Sequence, residues 1–292
     1  MRRSLSGSSN TSLTEIIERV IDVILSAAEI AESKPVEATH QVRKSLKKCR
    51  ALVKLTRHLH SKNDYMAINQ ALRDQGKHFS DLRDVHVRVE LFDALIQDSE
   101  FQNFKTDLEE FKKVNQETVQ QHEAILIHEE KNFLKLQDAL QKNDIGLLPY
   151  FDSEPISLSD LQKGIDQSFK ASNSAYQQID QDDSETLHEW RKRLKDVQYQ
   201  LEAVGEITQQ SYKQDTLGII IEINDLLGIG HDYFMLSEWI EEKGEFNNSE
   251  NVDRFLNKLF LKRRSYQSSA FTLAEKLYSL TSQNFTSFIY NG

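Results

Sequence analysis

Residues 40–48 read HQVRKSLKK, and residues 188–196 read HEWRKRLKD. Five positions coincide at a single offset: His40 with His188, Arg43 with Arg191, Lys44 with Lys192, Leu46 with Leu194 and Lys47 with Lys195. The same ungapped offset carries Asp84 onto Asp232 and Arg83 onto His231. Compositional bias would not hold register over that distance. The chain therefore reads as an internal duplication, with two halves in a pseudo-twofold relation.

Each block has helical periodicity. Steps of three and four from His40 give Arg43, Lys47, Arg50, Lys54 and Arg57, with Lys44 flanking the row. Residues at these spacings share one face of a helix. The adjacent row, Val42, Leu46, Cys49, Val53 and Thr56, reads as the buried face. A cationic ladder would then run about 26 Å at 1.5 Å per residue. Like charges at these spacings repel by a few tenths of a kcal/mol per pair, yet no Asp or Glu lies between His40 and His60. The missing counter-charge points to an external polyanion. The second block is shorter, because Asp196, Gln198 and Glu202 end its basic run. Its core row reads Leu187, Trp190, Leu194, Val197 and Leu201. The first stripe is expected to supply most of the affinity.

Working outward, the 292 residues contain three prolines and 10 glycines, and charged residues make up 28%. So few helix breakers in so long a chain predict an all-α protein. Helices are expected from near Thr11, over Val36–His60 after a break at Pro35, over Tyr65–Phe79 and over Leu82–Ile96. A long charged helix should follow over Phe101–Lys142, broken at most once. Beyond a breaker-rich segment with Gly146, Pro149 and Pro155, helices are expected over Leu158–Ile179, from Thr186, over Asp215–Leu227, after His231 and over Val252–Leu280. The division is a disordered arm at 1–12, a first half at 13–145, a connection at 146–157 and a second half at 158–285. Trp190, Trp239, Phe234, Phe255, Phe260, Phe271 and Tyr278 are expected in core or interhelical packing.

The net charge of -10 argues against a general nucleic-acid binder. The single cysteine, Cys49, fits a reducing compartment and sits on the buried row. MRRSLSGSSN lacks the apolar core of a signal peptide, and no apolar run approaches the ~20 residues of a membrane span. A cytoplasmic protein with no membrane contact is expected. His122 and His128 are six apart and share a helix face poorly, so no metal is expected there. No nucleophile motif or phosphate-cradling glycine loop occurs, so no cofactor and no enzyme activity are expected. Asp84 and Asp232 read as organisers of the stripe rather than as catalytic acids.

The pattern HxxRKxxKK, followed some 44 residues later by LRD-V and repeated as HEWRKRLKD with GHD-Y, resembles the CHAD family, the conserved histidine α-helical domain. The resemblance covers about Leu13 to Leu280. It implies two pseudo-symmetric four-helix bundles around a basic channel or groove, and inorganic polyphosphate as the ligand. It implies a binding set of His40, Arg43, Lys44, Lys47, Arg50, His188, Arg191, Lys192 and Lys195, to which Lys54, Arg83 and His231 are added. Two stretches depart from the family's usual LGxxRDxDV: HFSDLRDVHV, and LLGIGHDYFM with His231 where Arg is commoner. Binding without catalysis is the leading expectation, with association with polyphosphate granules. The alternatives are an enzyme of phosphate metabolism or its accessory, and a helical protein–protein scaffold. Some relatives carry a catalytic acidic tunnel domain, for which this chain leaves no room.

Overall fold

The computed structural model describes residues 12–152, 156–181, 183–209, 216–244, 246 and 250–279. Residues 1–11 of the expected arm, Pro155, and 280–285 of the expected second half lie outside that set.

Every regular element among the described residues is helical. Helix α1 spans Leu13–Ile30, and Ser12 and Glu15 close a capping box at its start. Helix α2 spans Pro35–Leu55, with Pro35 in the first turn, where its missing N–H costs nothing. It ends five residues before the expected His60, and Arg57 falls in a 3-10 turn over Arg57–Leu59. Helix α3 covers Lys62–Lys77, with Ser61 capping the N–H of Asp64, and α4 covers Ser80–Gln97. A 3-10 stretch, Ser99–Phe104, leads into α5, Lys105–Ala124. The expected long helix then loosens through a π turn, Ile125–Glu129. Lys131, at φ 55°, separates it from α6, Asn132–Gln141. The connection holds a short helix, α7, Leu147–Asp152.

In the second half, α8 spans Leu158–Gln177 behind a Ser157–Asp160 capping box, and α9 spans Ser184–Thr208 behind Asp183. Helix α10 runs unbroken over Thr216–Lys243, and α11 covers Glu250–Ser279. The break expected between Leu227 and His231 does not occur. Gly228 and Gly230 both lie inside α10; at Gly228 a neighbour approaches closely, and a Cβ there would stand 3.0 Å from the Arg191 guanidinium.

The buried residues form two clusters, and each draws on both halves. The larger joins α1, α2, α6 and α7 to α8, α9, the first part of α10 and the last part of α11. The smaller joins Phe92 and Leu95 of α4, and Leu108 and Phe111 of α5, to Leu236 of α10 and Phe255 of α11. Both expected core rows are buried, from Val42 to Thr56 and from Leu187 to Leu201. Phe260 is not core as expected: it is 45% exposed.

Helix α2 is the axis of the larger cluster. The Gln200 amide of α9 donates to the Ala51 carbonyl at 2.9 Å, and the Tyr150 hydroxyl of α7 donates to the Val53 carbonyl at 3.2 Å. Gly164 of α8 lies so near the Leu55 carbonyl that a Cβ would collide with it. The Gln200 bond ties α2 to α9, and so one basic stripe to the other, while the other two contacts hold α2 against α7 and α8.

Candidate functional site

The two stripes converge on one cavity of about 450 Å³. From α2 it receives His40, Arg43, Lys44 and Lys47, and from α9 His188, Arg191 and Lys195. Arg83 of α4 and His231 of α10 complete the expected residues in its wall. Nine of the twelve sequence candidates are thus together. Arg50, Lys54 and Lys192 are not in this wall. The Arg50 guanidinium donates to Asn69 at 3.1 Å in the cleft between α2 and α3. Lys54 forms a largely buried ion pair with Asp196 of α9 at 2.6 Å. Lys192 pairs with Glu189 at 2.8 Å on the outside.

The two arginines are held by matched devices. Nη1 of Arg43 donates to the Ser80 hydroxyl at 2.6 Å and to the Gly76 carbonyl at 3.3 Å. Nε of Arg191 donates to the Asn224 carbonyl at 3.4 Å, and its guanidinium lies against Gly228. Asn224 and Gly228 stand at the repeat offset from Gly76 and Ser80. Each arginine thus leans on the same two repeat positions, which fall at the end of α3 and the start of α4 in one case and both within α10 in the other. The exchange of Ser80 for Gly228 leaves the second guanidinium without the hydroxyl that anchors the first.

The wall contains seven Lys and Arg side chains against three aspartates, Asp84, Asp225 and Asp232. Asp84 is the strongest attractive charge on Arg43, and Asp232 is the strongest on Arg191. Burial raises both carboxyls above the usual range, while the arginines pull them back. Asp225 lies 3.7 Å from Lys195.

Cations dominate the remaining groups. Burial, followed by Arg43, Arg191 and Lys195, brings the Lys47 ammonium down to about 8. Burial and the charges of His188, Arg191 and Lys47 bring His231 down to about 4. His40 and His188 are lowered as well, first by burial and then by neighbouring cations. The His188 and His231 rings stand 5.1 Å apart, so a proton on either opposes a proton on the other. Desolvated, mutually repelling cations are what an anion would relieve.

Sequence reasoning missed Arg88 and Tyr199, which also line the wall. The Arg88 guanidinium donates to Asn115 at 3.0 Å and lies over the Trp239 ring. Its only signal was a position one turn beyond Asp84, and the repeat gave none, because Leu236 occupies the matching position. Among the described residues no group of three or more His, Cys, Asp or Glu side chains could hold a metal ion. No described helix is long and apolar enough to cross a membrane.

The fold is shared with solved structures. The crystal structure of the CHAD domain from the plant Ricinus communis superposes with a TM-score of 0.64 at 16% identity, covering 96% of both chains. PptA from Streptomyces chartreusis is similar with a TM-score of 0.64 at 14% identity, covering 91% of this chain and 98% of that one. No curated protein matches. The sequence model of the CHAD domain matches residues 15–241, and with the duplicated stripe and the shared all-α fold this places the chain in the CHAD domain family.

Proposed function

We propose that this protein binds inorganic polyphosphate without transforming it, through a cationic channel built by both halves. The carrying observation is the convergence of Lys47 and Arg191, with the stripes they belong to, on one cavity. Arginine forks onto two phosphate oxygens, and lysine supplies a mobile point charge. A chain with one charge per phosphorus and no base to read matches such a wall. The carboxylates of Asp84 and Asp232 serve Arg43 and Arg191 as counter-charges, which favours retention of the chain over its cleavage.

A duplicated architecture, with halves at 13–145 and 158–285 joined by 146–157, fits the helix bounds. Shifting α1, α2, α4 and α5 by the repeat offset lays them over α8, α9, the second part of α10 and α11. The first half contributes more, because it brings five Lys and Arg side chains to the cavity wall and the second half brings two. Location in the cytoplasm, at polyphosphate granules, follows from this reading.

Titration with long-chain polyphosphate at low salt tests it. Lys47→Glu with Arg191→Glu should weaken binding by at least a hundredfold while the thermal transition stays cooperative. Wild-type affinity in that variant would overturn the assignment.

A further inference from the structure

A second cationic compartment adjoins the cavity. Between α2 and α3 lies a cleft of about 180 Å³ lined by Arg43, Lys47, Arg50, Arg73 and Lys77, with no acid in its wall. Arg43 and Lys47 line both spaces and form the shared partition. Burial lowers the Arg50 guanidinium; the Asp196 carboxylate opposes this from the α9 side, and nearby Arg73 adds to the lowering. Lys77 pairs with Asp74 at 2.7 Å, but both side chains are about half exposed, and a pair of that kind contributes little.

The other half does not repeat these cations. At the repeat offset, Arg50, Arg73 and Lys77 become Gln198, Ile221 and Asp225. The positive row is replaced by an amide, an aliphatic side chain and a carboxylate that faces Lys195. A linear polyanion leaving the cavity meets cations along α3 and a negative charge at the corresponding place on α10.

We infer that the α2–α3 cleft is a second phosphate subsite, through which a polyphosphate chain leaves the central cavity in one direction, past Arg50, Arg73 and Lys77. The inference rests on the polyphosphate reading and adds residues and a polarity to it. It makes affinity depend on chain length: a chain of three phosphates occupies the central cavity alone, and a long chain occupies both spaces.

The test compares tripolyphosphate with long-chain polyphosphate on the full protein. Arg73→Ala with Lys77→Ala removes two exposed charges outside the central wall, and Lys170→Ala with Lys276→Ala removes the same charge where neither space is lined. The cleft variant should bind the long chain about tenfold more weakly, with a log–log salt slope shallower by about 1.5, from roughly 0.7–0.9 per lost contact. Its affinity for tripolyphosphate, and both affinities of the control variant, should stay within twofold of wild type. Unchanged long-chain binding in the cleft variant would overturn the subsite. Equal weakening of both anions would also overturn it, since the charges would then act only at a distance. Failure of the wild-type protein to bind either anion would remove the polyphosphate reading itself.

Discussion

Lys47 sits where the two stripes meet, and its lowered titration gives the site a pH signature. Its folded pKa of about 8 lies below the ordinary value of 10.5. Between those limits the unfolded chain holds more protons, so this residue's contribution to stability rises with pH. Anion binding should change in the opposite sense, weakening as Lys47 loses its charge. We expect polyphosphate affinity to fall above about pH 8, and Lys47→Arg to move that fall above pH 10, as read by titration across pH. Identical alkaline profiles for the two proteins would contradict this. His231 has a related effect at acid pH. Its folded pKa of about 4 is below its ordinary 6.5, so the free protein loses stability as pH falls through that window. A bound polyanion favours the imidazolium, so binding at pH 6 should take up protons. Calorimetry in buffers of different ionisation enthalpy would show this as a positive slope, and His231→Gln should reduce it. Six of the seven cations and all three histidines of the wall were legible from residue spacing and the repeat, and Arg88 was not. The fate of Lys54 was not, because its partner Asp196 is reached only through the packing of α2 on α9.

Two glycines test how the helices set the site. Gly164 brings α8 onto the backbone of α2, where the Leu55 carbonyl cannot move aside. Gly164→Ala should destabilise the protein by more than about 2 kcal/mol in denaturant unfolding. Gly228 faces the end of a flexible side chain, the guanidinium of Arg191. Gly228→Ala should therefore raise stability by up to about 1 kcal/mol through helix propensity. It should also weaken polyphosphate binding several-fold by displacing Arg191. Equal destabilisation by the two substitutions would mean that α10 and α8 approach their neighbours in the same way. The sequence marked α2 and α9 clearly, because a buried row and a charged row run side by side in each. It misplaced the break in α10, because a glycine that admits a neighbour and a glycine that ends a helix look alike without the neighbour. The end of α2 at Leu55 depended on the 3-10 turn that carries Arg57.

The whole molecule carries a net charge of -10, yet its central wall has seven cations against three aspartates. This separation should make binding steep in salt. With five to seven ionic contacts at roughly 0.7–0.9 each, the log–log slope should lie near -4 to -6. The family and its all-α fold were legible because the repeat preserves His, Arg, Lys and Asp at one offset. The mixing of the halves in both buried clusters was not, since a periodic pattern gives the face a helix buries but not its partner. Phe92 and Phe255, one from each half, share a cluster that no local signal joins. The same mixing brings Lys47 and Arg191 to one cavity, which is the central claim. A crystal structure of the protein with tripolyphosphate tests it most directly. The account predicts phosphate oxygens within hydrogen-bonding distance of both Lys47 and Arg191, between α2 and α9. A chain ordered on the outer surface, with neither side chain engaged, would contradict it.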